Sequence, residues 1–182
     1  MSTHIVLVGL PASGKSKLGA LIAQHFGIDF VDLDRLIETR EGRSIPELFL
    51  DGESRFRDAE TQALVAAIGA DRKSVISTGG GIVERAKNLE LLQETTVVYL
   101  NIDIDTAVRR ATAKGDRPLL KDNPRQTMRE LAQRRTPLYE RVAQVHARVD
   151  DRPARKNATR VIELIEALEE RSSNDAHDFS PC

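Results

Sequence analysis

Two kinds of apolar run alternate along this chain. Short β-branched segments occur at 4–9 (HIVLVG), 28–32 (IDFVD), 74–78 (SVIST), 96–101 (TVVYLN) and 146–150 (HARVD). Those at 4–9 and 96–101 are near-continuous rather than alternating, the pattern of parallel strands covered on both faces. Between them lie longer segments of helical pattern at 15–26, 34–41, 44–50, 53–69, 84–93, 104–113, 126–145 and 157–170. In ETQALVAAIGA, residues 63, 64, 67 and 68 form one apolar stripe. Ser44-Ile45-Pro46-Glu47 has the spacing of a capping box, with proline in the first turn where its missing N–H costs little. The segment 126–145 is expected to break near Pro137.

Strands that alternate with helices predict an α/β fold, a three-layer sandwich around a parallel sheet. A single domain is expected over 1–171, since 182 residues suffice for one core but not for two ordinary ones. The stretch 114–125 (KGDRPLLKDNPR) reads as a mobile loop, and 172–182 (SSNDAHDFSPC) as a disordered tail.

Composition narrows the function classes. The 27 basic and 28 acidic side chains nearly cancel, which argues against bulk electrostatic binding to nucleic acid or to an anionic membrane. The single cysteine, Cys182, cannot form an intramolecular disulfide. No apolar run approaches the ~20 residues that span a bilayer, and the N-terminus resembles a core strand rather than a signal peptide. A cytoplasmic location is expected.

Chemistry enters with GLPASGKS, Gly9 to Ser16, a full match to G-x-x-x-x-G-K-[ST] between the first strand and the first helix. Such a loop turns its N–H groups inward, its helix adds a positive end, and glycines let the main chain approach a phosphate. The expected nucleotide contacts are Pro11, Ala12, Ser13, Gly14, Lys15, Ser16 and Lys17. Lys15 would reach the β- and γ-phosphates and Ser16 would hold Mg²⁺. The motif alone leaves a GTPase, an ATPase motor, a small-molecule kinase and a nucleotide-dependent binder open. No N-K-x-D guanine signature is present.

In VDLDRLIETR, Asp32 and Asp34 stand two apart where strand gives way to helix, so an extended chain would aim both to one side. A Mg²⁺ ion beside the phosphates would relieve their repulsion. Asp32 is the candidate to orient the metal, and Asp34 to take a proton from an acceptor hydroxyl. Asp34 also reads as the N-cap of the following helix. Arg57 beside Phe56, the glycine run Gly79-Gly80-Gly81 after the third strand, and Arg135 before Pro137 suggest a converging site for a small acid at the carboxyl edge of the sheet.

The chain resembles shikimate kinase. The matching pieces are GLPASGKS, the D-x-D of FVDLD, FRDAE, STGGG, GDRPLLK and RTPLYERV, in the family's order from residue 5 to about 165. The resemblance implies a nucleoside monophosphate kinase-like fold with a central five-stranded parallel sheet. It also implies transfer of the γ-phosphoryl of ATP to the 3-hydroxyl of shikimate by a monomer, with ATP and Mg²⁺ as cofactors. By the same resemblance, Asp34 binds the substrate hydroxyls and is the base. Arg57 and Arg135 grip the carboxylate, and Gly79, Gly80 and Gly81 approach the substrate. Arg117, in a lid at about 113–124, reaches the phosphates, Arg110 stacks on adenine, and Arg155 contacts the nucleotide. Lys15, Asp34 and Arg117 form the implied catalytic set.

Three departures stand out: Asp58 follows Arg57 where many members have a second arginine, 150–157 aligns poorly, and Ala12 replaces a frequent glycine at what reads as an indifferent position. Rival readings are a kinase for another polyhydroxy acid such as gluconate, whose family has a D-x-x-H element where this chain has DRLI, and a non-catalytic nucleotide-binding module.

Overall fold

In β1 (Ile5–Val8) all four side chains are buried, so both faces of the sheet are covered there. The computed structural model describes residues 4–113 and 123–177. β1 pairs in parallel with β3 (Ser74–Ser77) and β4 (Thr96–Ile102). β2 (Asp29–Asp32) adds to β3 and β5 (Val145–Val149) to β4, giving the order β2-β3-β1-β4-β5. The parallel sheet is what the alternating pattern predicted, and its five strands are what the family resemblance implied. The near-continuous apolar runs are the two central strands β1 and β4, whereas β5, on an edge, alternates between buried and exposed residues.

The helices are α1 (Lys15–Phe26), α2 (Leu33–Glu41), α3 (Ile45–Leu50), α4 (Glu53–Ile68), α5 (Ala86–Leu92), α6 (Ile104–Ala113), α7 (Pro124–Val142) and α8 (Ala154–His177), with a 3-10 turn over Ile82–Glu84. α1 packs on α8 and β3, and α7 on α6, β4 and the 3-10 turn. The expected capping box forms at Ser44, whose backbone N–H donates to Glu47 Oε2 at 2.8 Å.

One expectation fails. No break occurs near Pro137, because α7 runs through it. A proline inside a helix costs about 3 kcal/mol through its absent donor and its ring. Here the helix is held on either side of that point by tertiary contacts: Tyr139 stacks on Tyr99 at 5.3 Å and donates its hydroxyl to Gly80 O, and Arg135 donates to Glu84. α8 continues to His177, into the segment expected as a tail, and residues 178–182 lie outside the described residues. Extending a helix that packing has already nucleated is cheap, and the Ser172 and Ser173 hydroxyls donate back to Leu168 O and Glu169 O.

All strands are parallel, so their carboxyl ends share one edge. Registers Leu7↔Ser77 and Asp32↔Ser77 bring three of those ends level. Thr78 locks them, donating its N–H and its hydroxyl to Leu7 O at 3.3 and 2.8 Å. The chain leaves β1 toward β2 and later returns past it to β4, a switch of direction that opens a crevice at this edge. Among the described residues, no helix is long and apolar enough to cross a membrane.

Candidate active site

The loop after β1 is built by backbone geometry. Gly9 has φ 146°, and a Cβ there would lie 2.7 Å from Leu100 O, so only glycine fits. Ala12 adopts φ 64°. That corrects the expectation that Ala12 is indifferent: the left-handed region costs an L-residue about 1 kcal/mol, which glycine would avoid. Lys15, 8% exposed, donates its ammonium to Gly9 O at 2.8 Å, Leu10 O at 3.0 Å and Ser13 Oγ at 3.3 Å, folded across the loop it serves. Ser13 is buried, Pro11, Ala12 and Gly14 are half-buried, and Ser16 and Lys17 are exposed. Ser16 Oγ lies 3.3 Å from Ser77 Oγ at the end of β3.

Asp32, not Asp34, is the N-cap of α2, accepting from the Arg35 N–H at 3.4 Å. Asp34 therefore sits in the first turn of the helix, and strand alternation does not aim the two carboxylates together. Helix geometry instead turns Asp34 toward Gly79, where a Cβ would meet Asp34 Oδ1 at 3.3 Å and Glu60 Oε1 at 2.6 Å.

The three glycines after β3 each face a different partner. Gly79 faces Asp34 and Glu60. A Cβ on Gly80 would touch Pro11 Cδ at 3.2 Å and Arg135 Nη1 at 3.3 Å, so this residue joins the phosphate loop to α7. On Gly81 it would lie 2.3–2.5 Å from the Arg57 guanidinium. Bare backbone is what lets these groups converge.

Arg57 and Arg135 are 9% and 5% exposed. Arg57 donates to Glu60 Oε2 at 2.7 Å, to Glu53 Oε1 at 3.2 Å and to Glu84 Oε2 at 3.2 Å, and its guanidinium lies 5.2 Å over the Phe56 ring. Arg135 donates to the same Glu84 oxygen at 2.9 Å. Burial works against the Arg57 charge, but Glu60, Glu84 and Glu53 outweigh it and its pKa is raised. Glu60 has no exposed side-chain surface. Burial raises its pKa, Asp34 adds to the rise, and Arg57 and Arg135 offset part of it. Among the described residues, Glu60 Oε1 and Arg135 Nε have no hydrogen-bond partner. Burial also pushes the Tyr139 phenol above its ordinary value.

The family model described as Shikimate kinase matches residues 11–166. The chain belongs to the shikimate kinase family. The shikimate kinase of Rhodococcus erythropolis is 42% identical over 158 residues, covering 85% of this chain and 93% of that one. The structure of shikimate kinase from Acinetobacter baumannii, solved in complex with shikimate, superposes with a TM-score of 0.87 at 35% identity, over 91% of this chain and 94% of that one. A gluconokinase from Sinorhizobium meliloti superposes at 0.66 with 15% identity over 97% and 98%, a likeness of fold alone.

Of the residues that the shikimate kinase resemblance singled out, Lys15, Asp34, Arg57, Gly79, Gly80, Gly81 and Arg135 come together at this edge. Arg110 lies at the edge of α6, donating to Asp150 O and pairing with Asp151 at 3.4 Å, beside the loop after β5. Arg155 is exposed and lines a groove with Leu21, Gln24 and His25 on the flank of α1 rather than the phosphate loop. Residues 114–122, with Arg117 and nearly all of the expected lid, lie outside the described residues. The motif reading included Glu60 in FRDAE without giving it a role, and it passed over Glu84. Glu60 carried a faint signal, three residues after Arg57 on one helix face. Glu84 carried none, because its partners are distant in the chain.

Proposed function

We propose that this chain transfers the γ-phosphoryl group of ATP, the co-substrate of its family, to the 3-hydroxyl of shikimate. The observation that carries the reading is the glycine turn Gly79–Gly81, which abuts Asp34, the phosphate loop, Arg135 and Arg57 in succession. An acid with several hydroxyls would lie across that turn, its carboxylate toward the arginines and its reacting hydroxyl toward Asp34. Forked guanidinium groups suit a carboxylate. Asp34 accepts the hydroxyl proton as the oxygen attacks the γ-phosphorus. The bond from that phosphorus to the β,γ-bridging oxygen breaks, and ADP leaves. Lys15, already aimed over the loop, offsets charge on the transferring group.

The oxygen donors at the loop fit Mg²⁺: the Ser16 hydroxyl beside Ser77 and the Asp32 carboxylate would hold it. When bound, the ion neutralises charge on the β- and γ-phosphate oxygens. The exposed large apolar side chains among the described residues, Leu50, Val65 and Leu164, lie on three different helices, which supports a monomer.

ADP release from ATP, with shikimate, gluconate or a nucleoside monophosphate added in turn, tests the proposal. Release with gluconate but not shikimate would overturn it. Arg135→Ala is expected to weaken shikimate binding by about 1.5–3 kcal/mol, the worth of hydrogen bonds to a charged group, read as a raised Kd by calorimetry. In Gly81→Ala the new methyl must displace a guanidinium held by three carboxylates. Shikimate KM should rise about tenfold, since losing one charged hydrogen bond costs roughly 1.4 kcal/mol or more. An unchanged KM would show that Arg57 is not used in that position.

A further inference from the structure

One carboxylate in the arginine cluster plays no part in the mechanism above. Glu84 ends the 3-10 turn directly after the glycine run, and its Oε2 is shared between Arg57 at 3.2 Å and Arg135 at 2.9 Å. Its Oε1 lies 3.8 Å from Arg134. A single oxygen thus bridges the two guanidinium groups that, on the function proposed above, grip the substrate's carboxylate.

Charge balance makes this placement informative. Arg57, Arg134 and Arg135 are paired with Glu53, Glu60 and Glu84, three cations against three acids. A cluster in that state has no surplus positive charge to draw a further anion. Glu60 cannot leave, being wholly buried against Arg57. Glu53 touches only the outer side of the cluster, with its side chain 66% exposed. Glu84 stands between the arginines on a single short turn with its side chain 23% exposed, so rotation about its side-chain bonds takes the carboxylate into water. With Glu84 outside, the arginines offer two donors to an incoming carboxylate and the cluster carries one surplus positive charge.

We infer that Glu84 is an internal competitor for the carboxylate subsite, occupying the bridge between Arg57 and Arg135 until an acidic substrate exchanges with it. The inference rests on the assignment of the arginine pair to the substrate's carboxylate. It makes Glu84 a specificity residue. A ligand that brings its own carboxylate replaces what it displaces, whereas a neutral ligand of the same shape does not. The apparent affinity for the acid is lowered by the fraction of molecules in which Glu84 holds the bridge.

The test uses calorimetry on the full chain with shikimate and with its neutral methyl ester. Glu84→Gln keeps the length and an acceptor oxygen but removes the charge. With the bridge held about nine-tenths of the time, shikimate Kd should fall about 5- to 20-fold, while the ester's Kd moves less than about twofold. Glu84→Asp keeps the charge on a shorter arm and should fall between Glu84→Gln and the unaltered chain. Unfolding midpoints of both variants confirm that a folded protein is being titrated. Unchanged or weaker shikimate binding by folded Glu84→Gln overturns the inference, as does an equal gain for acid and ester. Arg135→Ala in the same titration separates the two layers: if it leaves shikimate affinity intact, the assignment of the arginine pair itself is wrong.

Discussion

Replacing Asp34 by asparagine should lower kcat by about 10²–10⁴-fold, the usual contribution of a positioned general base, while ATP still binds. Asparagine preserves the shape and the first-turn position in α2 but cannot take a proton. The capping role of α2 falls to Asp32. Replacement of Asp34 should therefore leave the helix intact. The first turn of a helix also favours a negative charge, and the carboxylate faces Gly79 at the carboxyl edge of the sheet. Steady-state ADP release and a nucleotide titration together decide the matter: turnover within a few-fold of the unaltered enzyme would reduce Asp34 to a substrate contact.

Arg57→Ala should be the most damaging change to stability, by about 3–5 kcal/mol, because it strips the partner from a buried carboxylate. Glu60 is wholly buried and accepts a hydrogen bond from Arg57 at 2.7 Å. The loss has a pH signature. Burial already raises the Glu60 pKa against the opposing pull of Arg57, and without Arg57 it rises further. A carboxyl whose folded pKa exceeds its unfolded value binds more protons when folded. Stability then falls as pH rises from the unfolded value of about 4.3 to the raised folded value. The variant should thus regain stability on acidification toward that lower limit, over a wider range than the unaltered protein. Denaturant titrations at several pH values measure this directly. Adding Glu60→Gln to the variant should restore part of the loss and flatten the pH dependence. A pH-independent deficit would mean that the lost contact of the guanidinium with the Phe56 ring, rather than an unpaired charge, is responsible.

Much of this is legible in the amino-acid sequence. The β1 and β4 runs carry their burial in composition, and the phosphate loop carries its geometry in its glycines and its place between strand and helix. The glycine run after β3 announced a close approach, though not to what. Pro137 misled, since local rules assign it a break and say nothing of Tyr139 stacked on Tyr99. Ala12 misled too, because a backbone dihedral does not show in a residue's name. The D-x-D spacing was read with strand geometry across a strand-to-helix junction, which exchanged the cap between Asp32 and Asp34.

Chain order alone dictates the alternating strands and helices, the parallel sheet and the loop that receives a triphosphate, because each depends on contacts within one segment or on the period of its apolar residues. The acidic–basic cluster was decided only by folding. Arg57, Glu84 and Arg135 come from α4, a 3-10 turn and α7, and no local pattern encodes their meeting. Packing brings them together, and burial then turns ordinary surface residue types into strongly interacting charges, since water no longer screens them.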